Sequence, residues 1–427
     1  MEKDDLNVVN PHYLQNVMEL SKTHEVIASE DIYDAKGIKL VSKGTRVNDS
    51  LQERLVRFKL RQPLENSLSV EGGVGPEMLL SEAQSVIDEV QPVSALMQTG
   101  ASNKAILQVL KEVRFDKVST LVLSMEQSGK GGAFRHAVLA AVTSVALGMR
   151  LHLDSGALLN LALAGLLHDT GELYINPEFR HPTRQLTPEE WKHIAAHPRI
   201  GQLVLEEMSG VPRAVSTAIA EHHERPNGFG YPRQLTGERI SQLGNVLLMA
   251  EVLCGIFVKP DRPLERACLA VKVIPGEYPM ETVSIITSSG RGHPATEQPP
   301  IETSRHDELV ARAKRIEPMM NTALEQLANA LPGGKLTPSA NTLLGQVRER
   351  LLMLRRAMYS TGLAGCSDLE IMGASNQDEI VLELDSVSSE IEWRLRELSR
   401  QITLNLAALE DGQREYFESV VACLVAR

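Results

Sequence analysis

Histidines and carboxylates recur about one helix length apart through the middle of this chain. The set comprises His136, His168, Asp169, His197, His222, His223 and Glu251. A helical bundle aims side chains from several helices at one point, so this spacing predicts a shared site. Imidazole nitrogens and carboxylate oxygens together are typical ligands of zinc, manganese and iron, rather than of magnesium or calcium. The pattern therefore favours a metal centre.

This ligand set is larger than one ion needs, so we expect two divalent ions with Asp169 bridging them. Two such ions lower the pKa of a shared water to about 7, which makes a metal-bridging hydroxide available for attack on phosphorus. Each histidine taken alone is more often a surface or core residue. The hypothesis depends on all of them converging.

Two of the motifs follow apolar helical segments. His168-Asp169 comes after the apolar run 158–167, and His222-His223 comes after the helical segment 214–221. A histidine and an aspartate at the end of a buried helix would be costly without partners. We therefore expect both pairs to face a common interior site.

The stretch from about Gly131 to Ser289 resembles the HD-GYP domain, a subset of the HD phosphohydrolases. The matching motifs are Arg135-His136, HDTGE at 168–172, LTPEEW at 186–191, HPRIG at 197–201, HHERPNGFGYP at 222–232 and MAE at 249–251. The HHE…GYP element is highly specific, whereas the HD pair alone would not be.

The resemblance implies an all-helical domain that hydrolyses cyclic di-GMP to pGpG, or on to GMP, with two or three metal ions, often iron or manganese. Carried over by position, one ion would be held by His136, His168, Asp169 and Glu251. The second would be held by Asp169, His197, His222 and His223. His168 and Asp169 are also the catalytic candidates. The predicted substrate-binding residues are Gly228, Gly230, Tyr231, Pro232, Arg184, Arg262 and Arg266.

The chain departs from the family pattern at several positions. Glu172 stands where a lysine is usual, and Glu265 where a basic residue is usual. Cys254 replaces a second aspartate, and Gly132 replaces the glutamate of trinuclear members. A carboxylate repels phosphate where an ammonium attracts it. We therefore expect two ions rather than three, with turnover weakened more than metal binding.

Composition limits the partners and the compartment. The 427 residues carry 44 basic and 55 acidic side chains, a net charge of −11, which disfavours binding to bulk nucleic acid. The four cysteines are scattered without a CxxC motif, as in a reduced cytoplasmic protein. The N-terminus lacks the apolar core of a signal peptide. No run approaches the roughly 18 apolar residues of a membrane span, so we expect no membrane insertion.

The patterns predict a mainly α protein whose HD-type helical bundle lies between a small N-terminal β-containing module and a C-terminal helical bundle. The predicted boundaries are 1–70 for the N-terminal module, 76–127 for a helical connector, 128–289 for the HD-GYP-like domain, 290–306 for a flexible linker and 307–427 for the C-terminal helices. The glycine-rich segment 70–75 is predicted to be a linker.

Local signals place several elements. Strands are expected at 26–28, 32–33 and 38–41, followed by a helix capped near Asn48. Thr187 and Glu190 form a capping box that begins the helix leading to His197. The outer modules are interpreted as packing units, which could also mediate a homodimer or bind a protein partner. A sensory N-terminal module is the alternative.

Three functions fit this sequence. The first is a metal-dependent phosphodiesterase that hydrolyses cyclic di-GMP. The second is a catalytically weak or inactive HD-GYP protein that binds metal and cyclic di-GMP as a signalling receptor, which Glu172 and Glu265 favour. The third is hydrolysis of a different phosphorylated nucleotide, against which the intact Gly230-Tyr231-Pro232 counts.

Overall fold

The structure is a computed structural model whose described residues are dominated by helices. The structure describes residues 7–96, 103–129, 131–180, 186–207, 210–259, 262–290, 303–329, 336–360 and 377–425. The mainly α fold class is thereby confirmed. Among these residues no helix is long and apolar enough to cross a membrane.

The N-terminal half begins with a small mixed module. Its helices and strands are α1 (Pro11–Ser21), β1 (Glu25–Ala28), β2 (Ile32–Tyr33), β3 (Lys39–Val41), α2 (Asp49–Val56) and β4 (Leu68–Glu71). The helices that follow are α3 (Pro76–Glu89), α4 (Gln91–Leu96), α5 (Asn103–Glu112), α6 (Lys117–Ser128), α7 (Ala133–Arg150) and α8 (Ser155–Leu167).

In its described residues the second half consists of α-helices joined by loops. Its α-helices are α9 (Pro188–Ala195), α10 (His197–Glu207), α11 (Arg213–Glu221), α12 (Gln242–Phe257), α13 (Pro263–Ala270), α14 (Met280–Gly290), α15 (Thr303–Ala328), α16 (Pro338–Ser360), α17 (Gln377–Asn405) and α18 (Asp411–Val425). A short 3₁₀ helix, Thr170–Tyr174, lies between α8 and α9.

The strands of the N-terminal module form two antiparallel pairs, β1 with β4 and β2 with β3. The three strands predicted from the sequence are confirmed, as is the helix cap, because the Asn48 side chain accepts a hydrogen bond from Leu51 N. The linker predicted at 70–75 is wrong at its start. Val70 and Glu71 belong to β4 and pair with Val26 and Glu25.

The chain divides into two compact units. The first comprises residues 1–185, 193–264 and 278–293, and the second comprises residues 186–192, 265–277 and 294–427. The domain boundaries predicted from the sequence stay predictions. Most of the predicted linker 290–306 lies outside the described residues, which resume at Thr303 in α15.

The centre of the first unit is a bundle in which α7 packs against α8 and α12, and α11 against α12. Helix α7 is buried from Ala137 to Gly148, as expected of a helix that is apolar on all sides. Helices α7 and α8 approach closely at Gly165, where a Cβ atom would lie 2.5 Å from Ala141 Cα. Glycine there sets the spacing of the two helices that carry His136 and His168.

The second unit has its own core, built from α15, α16, α17 and α18. The predicted amphipathic positions are buried there, among them Ile316, Leu351, Ile391 and Leu395. The buried carboxylate of Glu277 joins this core through ion pairs with two guanidinium groups. Its partners are Arg350, at 2.5 Å, and Arg394, at 2.6 Å.

Replacing Gly165 by alanine should destabilise the protein, since the added methyl group meets the backbone of α7. We expect a loss of about 1–3 kcal/mol in the free energy of unfolding, as overpacking usually costs. The matched control is Gly255→Ala on the exposed side of α12, where a Cβ meets nothing within 4 Å. That variant should gain about 0.5–1 kcal/mol. Equal denaturation midpoints for the two variants would contradict the close α7–α8 approach.

Candidate metal centre

The predicted ligands sit at helix ends or on inward helix faces of the first unit. His136 lies in the first turn of α7, and Glu251 lies within α12. His168 and His222 are the C-cap residues of α8 and α11, and His197 is the first residue of α10. A side chain at a helix end projects beyond the packed body of the helix, which lets several helices contribute to one site.

One cluster contains His136, His168 and Glu251. The Nε2 atoms of the two imidazoles lie 3.2 Å apart. Glu251 Oε2 lies 3.1 Å from His136 Nε2 and 3.4 Å from His168 Nε2. His168 is fully buried, so this cluster is closed to water on that side.

The second cluster contains His197, His222 and His223. The Nε2 atoms of His197 and His222 lie 3.1 Å apart, and the His223 ring centroid lies 4.1 Å from that of His222. His197 and His222 are buried, and His223 is partly exposed.

Asp169 lies between the clusters and turns one carboxylate oxygen toward each. Its Oδ2 is 3.2 Å from His168 Nε2 and 3.7 Å from His136 Nε2. Its Oδ1 is 3.5 Å from His197 Nε2 and 3.7 Å from His222 Nε2. The structure therefore brings together all seven side chains that the sequence nominated, with Asp169 in the bridging position. Their role as ligands is a proposal.

Backbone hydrogen bonds fix the orientation of three of the rings. In each ring Nδ1 faces the carbonyl oxygen three residues earlier: His168 to Gly165 at 2.8 Å, His197 to Ile194 at 2.8 Å and His222 to Ile219 at 2.6 Å. A carbonyl can only accept, so Nδ1 carries the proton and the neutral ring turns the Nε2 lone pair inward. This is the second-sphere arrangement common for metal-bound histidine.

The donor set fits a divalent cation. In the His197–His222 pair both Nδ1 atoms face carbonyls, so the neutral rings would bring two Nε2 lone pairs to 3.1 Å, where they repel each other. Within the described residues, Glu251 Oε2 is a buried oxygen that receives no hydrogen bond of ordinary geometry. A cation between these lone pairs converts the repulsion into ligation, with nitrogen and oxygen donors suited to zinc, manganese or iron.

The close packing of imidazoles and carboxylates shifts the pKa values of His168 and His222 in opposite directions. Burial disfavours a charge on His168, but Asp169 and Glu251 beside it raise its pKa well above the usual value. Burial, with His197 and His168 nearby, lowers the pKa of His222 to about 3. In the metal-free protein a proton on His168 therefore does electrostatically what a cation would do, and metal binding should displace it.

Glycine permits a second close approach beside Asp169. A Cβ at Gly171 would lie 2.0 Å from the carbonyl oxygen of His197, so the turn after Asp169 rests directly on the start of α10.

The predicted capping box at the start of α9 is confirmed. Thr187 N donates to Glu190 Oε2 over 2.9 Å, and Glu190 N donates to Thr187 Oγ1 over 3.3 Å.

The loop Gly228–Pro232 lies beside the second cluster. Tyr231 N donates to His223 O at 3.0 Å, and the Tyr231 ring stacks on that of His223 with centroids 4.6 Å apart. Gly230 is required because its Cβ would lie 2.3 Å from Arg225 N. Buried Glu224 supports the loop by accepting hydrogen bonds from the backbone amides of Arg233 and Leu235.

The three arginines predicted to bind substrate are not placed alike. Arg184 lies outside the described residues, and Arg262 lies in the first unit between α12 and α13. Arg266 belongs to the second unit, where its guanidinium forms an ion pair with Asp385 at 3.1 Å. The assignment of all three to a substrate pocket stays a prediction.

Glu172, which stands where the family pattern usually has a lysine, forms an ion pair. The carboxylate of Glu172 accepts a hydrogen bond from Arg180 at 2.6 Å. Glu172 N also donates to Asp169 O at 2.8 Å, so this pair lies one turn from the central carboxylate. The negative charge of Glu172 is therefore compensated locally by Arg180.

Glu126 was not singled out from the sequence, although it follows the apolar run 121–123 in α6. It is buried, and burial together with the charge of Asp169 raises its pKa to about 8. The only sequence signal was an acidic residue among buried positions of a helix. In the metal-free protein Glu126 is thus a mostly protonated carboxyl at neutral pH.

Removing the bridging charge should remove the metal. We expect Asp169→Asn to lower the divalent metal bound per chain after purification in Mn²⁺ from two ions to one or none, because an amide is a poor bridge between cations. The metal content should be counted by elemental analysis. His193→Ala, at an exposed histidine of the same unit, is the control and should leave the count unchanged. Equal counts in both variants would mean that the site is elsewhere.

Glu126 should make the metal-free protein less stable as pH rises. The folded-state pKa of about 8 lies above the unfolded value, so the folded state binds the extra proton and stability falls between about pH 4.5 and 8. Glu126→Gln in chelator should flatten this dependence and gain on the order of 1–3 kcal/mol at pH 7. Denaturant titrations at pH 5 and pH 8 measure it. Identical pH slopes in the variant and the wild type would refute the raised pKa.

Comparisons with known proteins agree with the geometry. The HD domain family matches residues 116–268. The chain is 30% identical over 141 residues to the cyclic di-GMP phosphodiesterase PA4108 of Pseudomonas aeruginosa, a match that covers 33% of this chain and 34% of that protein. It is 31% identical over 123 residues to the cyclic di-GMP phosphodiesterase PdeB of Borreliella burgdorferi, covering 29% and 32% of the two chains.

A third relative is the 3′3′-cGAMP-specific phosphodiesterase 3 of Vibrio cholerae, which is 26% identical over 132 residues, covering 31% of this chain and 28% of that protein. The chain thus spans about a third of the length of these curated relatives. The matched region contains all seven side chains of the two clusters and the GYP loop. Residues 116–268 are therefore similar to the HD domain family, in agreement with the HD-GYP resemblance that the motifs indicate.

Proposed function

We propose that this protein is a metal-dependent cyclic dinucleotide phosphodiesterase that hydrolyses cyclic di-GMP to pGpG or on to GMP. The observation that carries the proposal is the position of Asp169, which turns one oxygen to each of two imidazole clusters. That arrangement suits a pair of cations that share one carboxylate. The names of the similar proteins supply the class of substrate.

The protein side chains would divide the work. His136, His168 and Glu251 would hold one iron or manganese ion, and His197, His222 and His223 the other, with Asp169 shared. Bound ions of this kind supply activation of water and stabilise negative charge on phosphate. The carbonyls of Gly165, Ile194 and Ile219 hold the rings so that the Nε2 lone pairs stay inward.

Two features would position the substrate. The loop Gly228–Pro232 is fixed to the second cluster through the contact between Tyr231 and His223, which supports its proposed role beside the bound dinucleotide. Arg180, held by Glu172, would present a guanidinium toward the phosphate where the family usually has a lysine. Arginine suits this role because its planar donors match phosphate oxygens.

The alternative is a receptor that binds metal and cyclic di-GMP with little or no turnover. The sequence favours it at Glu172 and Glu265, which are acidic where the family is basic, but the ion pair with Arg180 offsets the charge of Glu172. A cytoplasmic location, and a homodimer or protein partner bound through the outer modules, stay predictions.

One assay distinguishes a phosphodiesterase from a receptor. The full chain should be reconstituted with Mn²⁺ or Fe²⁺ under reducing, oxygen-free conditions and incubated with cyclic di-GMP or 3′3′-cGAMP. We expect conversion of cyclic di-GMP to the linear dinucleotide, abolished by Asp169→Asn. Binding without product would establish the receptor, and faster conversion of 3′3′-cGAMP would reassign the substrate.

Arg180→Ala should lower kcat/KM for cyclic di-GMP about tenfold, equivalent to about 1.4 kcal/mol, because it removes a charged donor to phosphate and leaves Glu172 uncompensated. The control is Arg239→Ala, an exposed arginine in the segment after the GYP loop. Steady-state kinetics at saturating Mn²⁺ measure both variants. Equal losses, or none, would rule out a specific role for Arg180.

A further inference from the structure

The short turn after Asp169 is held from outside the bundle. We propose that four residues of the N-terminal module, here called the N-terminal grip, position Asp169 between the two metal clusters. The grip consists of Asn10, Tyr13, Asn16 and Glu65. This inference rests on the proposed metal role of Asp169 but not on the identity of the substrate.

The turn has two supports. The 3₁₀ helix Thr170–Tyr174 begins directly after Asp169, and Gly171 rests on the backbone of His197 on one side. The last carbonyls of such a helix have no partner within it. Here they are satisfied by a residue of α1 and by its N-cap residue. Asn16 Nδ2 donates to Leu173 O at 3.0 Å, and Asn10 Nδ2 donates to Tyr174 O at 3.1 Å.

The side chain at the end of the turn is also held. The ring of Tyr174 stacks on that of Tyr13 with centroids 4.9 Å apart and an angle of 16° between the planes. The Tyr174 hydroxyl donates a hydrogen bond to Glu65. All three side chains are buried, so the hydroxyl–carboxyl contact is made in a region of low dielectric where hydrogen bonds are strong.

The kind of contact distinguishes positioning from simple packing. Apolar side chains alone could bury the surface of α1, and they tolerate sliding of one element along another. The grip instead bonds two successive backbone carbonyls and one hydroxyl of the turn, each with a defined direction. A buried polar contact costs free energy unless it is satisfied, so any displacement of the turn is opposed.

The proposed bridging role of Asp169 requires the turn that follows it to be held in one position. Its two oxygens must reach ligand clusters on opposite sides, at 3.2 Å from His168 and 3.5 Å from His197. A shift of the turn lengthens one approach as it shortens the other. The grip therefore links the N-terminal module to Asp169 through the backbone of the turn, within one compact unit. The bridging carboxylate, rather than a terminal ligand, receives that link.

The test uses the full chain and two pairs of variants. Asn16→Leu removes the donor to Leu173 O, and Gln15→Leu makes a similar change at the exposed neighbouring position of α1. Tyr174→Phe removes the hydroxyl bonded to Glu65, and Tyr33→Phe removes a hydroxyl that bonds Asp31 within the N-terminal module. Mn²⁺ affinity is measured by chelator competition well below the melting temperature, together with Tm.

We expect Asn16→Leu and Tyr174→Phe to weaken Mn²⁺ binding about tenfold, as loss of outer contacts at metal sites commonly does, with both controls unchanged. Where the wild type turns over substrate, excess Mn²⁺ should restore the rate of these variants.

A lower Tm with unchanged Mn²⁺ affinity would show a merely structural contact and overturn the proposal. If Asn16→Leu fails to fold, the smaller Tyr174→Phe change decides alone. A wild-type chain that binds no Mn²⁺ would instead contradict the proposed function. Failure of the proposed function is therefore distinguishable from failure of the grip proposal.

Discussion

The mutual repulsion of inward-facing lone pairs governs the centre of this protein. Two pairs of imidazole Nε2 atoms lie 3.1 and 3.2 Å apart, with a carboxylate oxygen of Asp169 turned toward each pair. A proton on His168 offsets part of this crowding in the metal-free protein, but the low pKa of His222, about 3, leaves its inward Nε2 without a proton at neutral pH. Such an arrangement is costly unless cations balance it, so the bundle must hold it rigidly until they do.

Close backbone contact supplies that rigidity. Gly165 lets α8 lie against α7, Gly171 lets the turn after Asp169 lie against α10, and Gly230 lets the GYP loop lie against the segment after α11. Gly165 and Gly171 lie three and two residues from His168 and Asp169, and a larger residue at either would separate two elements that carry proposed ligands of the same centre. A larger residue at Gly230 would push the GYP loop away from the segment after α11. The glycines in these motifs therefore act through packing, and none of the three has a positive φ.

Sequence reasoning reached the ligands because each is adjacent to a local signal. His168-Asp169 ends an apolar helix, and the capping box at Thr187 begins the helix before His197, so position along the chain implied direction in space. It missed contacts between distant segments. The bond from Asn16 to Leu173 spans 157 residues, and neither residue looks unusual alone. The strand β4 was missed because its last residues precede a glycine pair that reads as a linker.

The charge around the centre was harder to predict from the sequence than the position of the candidate ligands. From the sequence alone, Glu172 suggests repulsion of phosphate, yet its carboxylate is bonded to Arg180, the last residue of a second short 3₁₀ helix, Pro177–Arg180. Arg266, read alone, suggests a basic residue for substrate, yet it is bonded to Asp385 in the second unit. A sequence position fixes the sign of a charge, but only the fold fixes its partner. The sign of the charge at position 172 alone therefore does not describe the local charge, because Arg180 is paired with it.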